Sequence, residues 1–263
     1  MTTSTRPAST GLRRAAPAIV AAAVLVVAWQ VYADLSGIRP QLLPSPSRVA
    51  AQGWAHRDEI GVHAWATLQV TLFGFAVSLI LAWVLAIVVD FSPTLRRAFV
   101  PLFVASQTLP IIAIAPLMII WFGFGVLPKV LVIALVTFFP MAIGLIEGFA
   151  AADREAGALL RSMGATRRQI FRYVRLPAAL PRFFTALRIG ITYAVVGAVF
   201  AEYVGARQGL GIYMSLQKNS FRTDLVLAAV LVTALISVAL YLLTFAIERV
   251  VVPWARDENA GPS

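Results

Sequence analysis

The chain contains no cysteine, only two histidines and only 12 acidic residues among 263. Without thiols there is no disulfide framework, no thiolate metal site and no cysteine nucleophile. The histidines, His56 and His63, lie in one connection and could share a helix face, but interfacial polarity explains such a pair more simply than a metal does. No Gly-x-x-x-x-Gly-Lys-Ser/Thr loop is present, and neither Lys129 nor Lys218 follows a glycine, so the chain lacks the phosphate cradle needed to hydrolyse ATP. Repeats of about 20 to 50 residues, and the inverted halves common in secondary transporters, are also missing. If the chain moves a solute, the energy comes from another subunit.

What is abundant is hydrocarbon. Hydrophobic residues make up 60% of the chain and charged residues 13%, with the charges gathered between long apolar runs. A bilayer core about 30 Å thick needs roughly 20 apolar residues in a helix. Five runs suit that length: Ala64 to Val89, Phe99 to Trp121, Val130 to Ile146, Phe183 to Phe200 and Leu225 to Ile247. A sixth runs from Ala15 to Ala33 behind Arg13 and Arg14; a cleaved secretory signal would look similar, and its length favours a retained helix. The expected fold is an all-α, multi-pass membrane protein of about six transmembrane helices.

Basic residues near helix ends stay on the cytoplasmic side, which fixes the orientation. With the N-terminus inside, only Arg39, Arg48, Arg57, Lys129, Arg207, Lys218 and Arg222 of the 22 basic residues fall outside. The inner side then comprises a tail at 1–14, a segment at 149–182 and a tail at 253–263, around a transmembrane domain at 15–252. The net charge of +10 follows from this topology and from attraction to anionic lipid. Nucleic acid is not an expected partner, since topology and anionic lipid account for basic residues spread over the inner loops.

The inner segment 149–182 carries the most specific pattern. Asp153 is placed to cap a helix, along which Ala156, Leu159, Leu160 and Met163 recur at helical spacing as a narrow apolar stripe. Gly164 sits where a left-handed residue would close that helix. Thr166 and Gln169 have capping-box spacing for a second one, which is expected to stop near Arg175 because Pro177 and Pro181 push their predecessors towards extended geometry.

These residues resemble the membrane permeases of bacterial ATP-binding-cassette importers that depend on a binding protein. The family signature is Glu-Ala-Ala, three residues, Gly, nine residues, Ile-x-Leu-Pro. Aligned on Gly164 and on Leu176-Pro177 the spacing is gapless, with Val174 in place of Ile. The front differs, because Ala158, Leu159 and Leu160 occupy the Glu-Ala-Ala positions and the nearest acid, Glu155, lies three places earlier. Leu43-Pro44-Ser45-Pro46, Thr67-Leu68 and Gly74-Phe75 are similar to permeases for nitrate, sulfonate and taurine. Ser106 to Leu117 and Trp121 to Gly125 look closer to those for thiamine-pyrimidine precursors and riboflavin.

The resemblance implies a translocation subunit in the bacterial cytoplasmic (inner) membrane, not an enzyme. It implies two separate ATPase subunits that use ATP and Mg, a secreted or lipid-anchored substrate-binding protein, and a second permease copy. It also implies that Glu155, Ala158, Leu159, Leu160, Met163, Gly164, Ala165, Thr166, Gln169, Leu176 and Pro177 form the ATPase-docking segment. An ATP-independent channel, an ion-driven carrier or a scaffold whose basic segment binds lipid headgroups is the alternative.

For the pathway, Pro110 and Pro116 each remove a backbone donor inside one span and predict a kink. Irregular backbone at membrane depth is tolerated only against protein or a wet cavity, and Gln107, with Thr108, lies about 12 Å past Phe99. Its amide would line a path or bond a neighbouring helix. Tyr193 adds polarity in the fifth run, and Glu202, the acid near its outer end, is either functional or solvated at the interface. Gly205, Gly209-Leu210-Gly211 and Tyr213 resemble an outer turn and short helix at the family's external gate.

Overall fold

A computed structural model describes residues 9–256; residues 1–8 and 257–263, which hold much of the two expected tails, lie outside it. The described residues fold as helices joined by short turns: α1 (Ser9–Leu35), α2 (Pro46–Ala55), α3 (Arg57–Phe91), α4 (Pro93–Ser106), α5 (Ile111–Phe122), α6 (Val126–Ala150), α7 (Arg154–Ser162), α8 (Arg167–Ile170), α9 (Leu176–Gly205), α10 (Leu210–Asn219) and α11 (Thr223–Val251). The first helix begins inside the stretch expected to be tail.

Breaks fall where the local chemistry requires them. Ser45-Pro46 and Ser92-Pro93 open α2 and α4 with an extended residue followed by proline, and Ser92 Oγ accepts from Leu95 N at 3.4 Å. Gly123 and Gly125 take positive φ between α5 and α6.

Helix α6 lies at the centre, packed between α3 and α9. The approach is close because glycine faces small residues: a Cβ on Gly148 would sit 2.8 Å from Ala179 Cα, and one on Gly144 would overlap the Ala186 methyl. Aromatic rings fill the wider inner end, where Trp83 meets Phe183 and Phe149 meets Phe171. Two hydroxyl groups within this core are satisfied by backbone: Ser78 Oγ donates to Ala134 O across α3 and α6, and Thr137 Oγ1 to Ile133 O in its own helix; Thr71 Oγ1 is buried without a hydrogen-bond partner among the described residues. A smaller cluster at the other end joins Val49, Ile60, Leu210, Tyr213, Leu225 and Ala229.

Among the described residues, five helices are long and apolar enough to cross a bilayer, at Ala16–Leu35, Arg57–Phe91, Val126–Ala150, Arg167–Gly205 and Thr223–Val251. The expected span from Phe99 to Trp121 differs from the others. Its apolar run is divided into α4 and α5, neither of which reaches that length alone, because Pro110 is extended (φ −71°, ψ 118°) and starts a new helix. Pro116 stays within α5, so the interruption has one cause rather than two. Large side chains such as Ile80, Leu81, Val84 and Leu235 are exposed on the outside of the bundle, as suits contact with lipid.

The ends of the bundle are chemically sorted. Arg48–Asp224 (3.1 Å) and Lys218–Tyr203 (2.9 Å) pair at one end, and Arg175–Asp90 (2.6 Å) and Arg188–Glu248 (2.7 Å) at the other. Each of these four pairs thus stays at one end, with Arg48 and Lys218 at the end expected outside and Arg175 and Arg188 at the end expected inside.

Candidate functional site

At the inner end, α7 and α8 form a bent hook between α6 and α9. Asp153 Oδ1 caps α7 by accepting from Glu155 N at 2.8 Å. Gly164 (φ +85°) closes it: Ala165 N donates to Leu160 O at 2.9 Å and Gly164 N to Arg161 O at 3.0 Å, the two bonds of a Schellman turn. Thr166 and Gln169 then make a reciprocal capping box for α8. This gives Ala165, Thr166 and Gln169 a structural role in fixing the angle between the two helices.

The apolar stripe divides. Ala156 and Leu160 are half-buried towards the bundle, whereas Leu159 and Met163 are 62% and 74% exposed. Ala158 and Glu155 are exposed beside them. Two large apolar side chains held clear of the body on a rigid turn make a contact surface for another molecule.

The expected stop near Arg175 does not occur. Arg175 (φ −76°, ψ −44°) and Leu176 (φ −64°, ψ −49°) are both helical, and the chain runs from α8 through a π-turn at Phe171–Arg175 into α9. Leu176 N donates to Phe171 O, five residues back. That wider turn shifts the carbonyl register at the very place where Pro177 has no donor to offer, so proline widens the helix instead of ending it. Leu176 and Pro177 are half-buried and tie the hook to α9.

In the middle of the bundle, the break between α4 and α5 carries the expected pathway residues. Gln107 and Tyr193 line one cavity of about 160 Å³ with Ser106, Phe139 and Pro140. The Gln107 side chain makes no hydrogen bond among the described residues and is exposed at the surface of the single chain, so it does not fasten a neighbouring helix. Thr108 Oγ1 donates to Ala105 O at 2.7 Å, which ties it to the turn. Pro110 and Pro116 shape the backbone and are not in the cavity wall.

Glu202 is fully buried, which excludes the solvated alternative. Its Oε2 accepts from Thr67 Oγ1 at 2.9 Å and from Gly211 N at 3.0 Å, while Oε1 has no hydrogen-bond partner among the described residues. Thr67 Oγ1 in turn accepts from Leu210 N at 2.8 Å, and Gly209 N donates to His63 Nδ1 at 3.1 Å. A Cβ on Gly209 (φ +133°) would collide with the Glu202 carboxylate, and one on Gly211 with Val199 O. The glycines therefore let α10 seat directly on a buried carboxylate, which ties the start of α10 to α3 and α9. His63 also faces Tyr213 at 5.0 Å between ring centroids.

The profile of the binding-protein-dependent transport system inner membrane component family matches residues 74–257. The chain belongs to this family. It is 39% identical over 233 residues to the riboflavin transport system permease protein RibX of Chloroflexus aurantiacus, covering 88% of this chain and 87% of that one. It is 34% identical over 236 residues to the formylaminopyrimidine transport permease protein ThiX of Halalkalibacterium halodurans, covering 89% and 94%. The fold matches a crystal structure of an amino acid ABC transporter with TM-score 0.60 at 16% identity, over 76% of this chain and 95% of that one. The chain is a multi-pass permease of an ABC importer, a transport subunit and not an enzyme.

Some of the permease's residues escape pattern reading. Thr67 and His63 have no sequence signal that points to Glu202, because their partnership spans more than a hundred residues; only Gly209-Leu210-Gly211 hints that something must approach closely there. The same holds for an outer cavity of about 1020 Å³, in whose wall Gln69, Lys129, Arg207 and Gln208 meet without an acidic residue.

Proposed function

We propose that the hook around Gly164 is the lever by which a separate ATPase works this permease. Two ATPase subunits, which bind ATP and Mg, each receive one hook; this chain binds neither. The exposed pair Leu159 and Met163, on a turn whose angle is fixed by Gly164 and the Thr166–Gln169 box, is the observation that carries the reading. Glu155, Ala158 and Ala165 complete the contact. Rigid-body movement of the hook passes through the continuous α8–π–α9 rod to the bundle.

Two copies of the permease enclose the path in the bacterial inner membrane, with the α4–α5 break and Gln107 and Tyr193 facing it. A secreted or lipid-anchored binding protein delivers the solute to the outer end. The solute is a small organic molecule or anion of the thiamine-pyrimidine precursor, riboflavin or nitrate, sulfonate and taurine type. The outer cavity, with two cations and two amides, suits a solute that presents acceptor oxygens or nitrogens.

The test is co-purification of the ATPase subunit with Leu159→Asp/Met163→Asp and with the wild type. Loss of the ATPase from a variant that still elutes as folded protein is the expected result. Undiminished association would remove the hook from the docking role.

A further inference from the structure

A third cavity, of about 790 Å³, lies at the inner end where the hook leans on the turn between α3 and α4. Its wall carries five arginines, Arg96, Arg154, Arg161, Arg167 and Arg175, supplied by α4, α7, α8 and the π-turn. Only two acids face them, and both are engaged: Asp90 takes Arg175 at 2.6 Å, and Asp153 caps α7. Arg161 donates to Gly157 O at 3.4 Å. The other three come from three different helices: Arg154 and Arg167 have no ion pair among the described residues, and Arg96 acts on Asp90 only from beyond salt-bridge distance. Beneath them the floor is apolar, with Phe171 stacked against both Phe91 (5.6 Å) and Phe149 (5.2 Å).

Five guanidinium groups against two carboxylates leave a surplus of positive charge around this cavity, and an anion placed among them offsets it. A phosphate group fits best, since its oxygens accept paired donors from several planar guanidinium groups at once. Basic cavities at the cytoplasmic ends of membrane helices hold phosphate headgroups by this chemistry.

We infer that this cavity is a binding site for a phosphate-bearing anion, which braces the hook against α4 through Arg96, Arg154 and Arg167. An anionic lipid would add its acyl chains along the half-exposed Phe91, and a soluble phosphate would use the arginine rim alone. The site needs neither ATPase nor solute, so its fate and that of the docking reading can be told apart.

The experiment measures thermal unfolding of the full chain in nanodiscs of phosphatidylcholine, of phosphatidylcholine with about 20% phosphatidylglycerol, and of phosphatidylcholine with inorganic phosphate added to about 10 mM. Wild type is compared with Arg96→Gln/Arg154→Gln/Arg167→Gln and with a control, Arg168→Gln/Arg172→Gln, which removes two exposed arginines outside the cavity on the same face. Stabilisation by phosphatidylglycerol alone, retained in the control and lost in the triple variant, supports the site with a lipid occupant. Stabilisation by inorganic phosphate with the same dependence supports it with a soluble one. The triple variant is expected to weaken apparent affinity roughly a hundredfold, since each basic side chain contributes about fivefold near an anionic surface. No stabilisation by either anion, or equal losses in control and triple variant, would overturn the inference. If the triple variant fails to fold in phosphatidylcholine, Arg96→Gln alone, expected to lose about fivefold, decides in its place.

Discussion

Gly164 holds a φ that a β-branched side chain adopts only under strain of about 1–3 kcal/mol. Gly164→Val is therefore expected to leave the bundle folded while it opens the Schellman turn, and ATPase co-purification should drop with little change in the melting of the purified permease. Glu202 calls for the opposite pattern. Glu202→Ala strands Gly211 N and leaves a cavity in a dry pocket, at a cost of about 2–4 kcal/mol, so the melting temperature should fall whether or not an ATPase is present. Tyr213 differs again: its hydroxyl is buried without a hydrogen-bond partner among the described residues, and burial pushes the phenol up to about 12. Tyr213→Phe should be neutral or mildly stabilising in thermal melts. Because the folded state raises this pKa from 10.0, the phenol's share of stability is intact below pH 10 and is lost as pH climbs towards 12; the phenylalanine variant should lack that loss.

Among the elements, those whose boundaries rest on local chemistry are legible in the sequence. The Asp153 cap, the Gly164 turn and the Thr166–Gln169 box all depend on residues within a few positions of one another, and each forms as its spacing implies. The continuous rod through Pro177 is not legible, because proline restricts its predecessor only on average and a π-turn relieves the clash that the rule assumes. The divided third run is half legible: two prolines announce a kink, but only the backbone reveals that Pro110 makes it. At this break Gln107→Leu should leave assembly intact and change the rate of solute uptake, since the amide holds no other helix; uptake at the wild-type rate would reduce Gln107 to filling. On the inner rim, Asp90→Ala removes a buried partner from Arg175 and should destabilise the α3–rod junction by about 2 kcal/mol, seen as a lower melting temperature.

For the whole molecule, long apolar runs and the unequal spread of arginine are enough to predict a multi-pass helical bundle, and the two chemically sorted ends agree with the orientation they imply. Contacts across the chain are another matter. The pairing of Thr67 with Glu202 and the meeting of arginines from three helices depend on how α6 draws α3 and α9 together through Gly144 and Gly148, and no local pattern records that. The central claim is that a bundle without an engine is driven through its hook. Uptake into proteoliposomes that contain the permease, its ATPase and its binding protein tests this most directly. Accumulation should require ATP on the hook side and vanish with Leu159→Asp/Met163→Asp, whereas uphill accumulation by the permease alone, without nucleotide, would contradict the account.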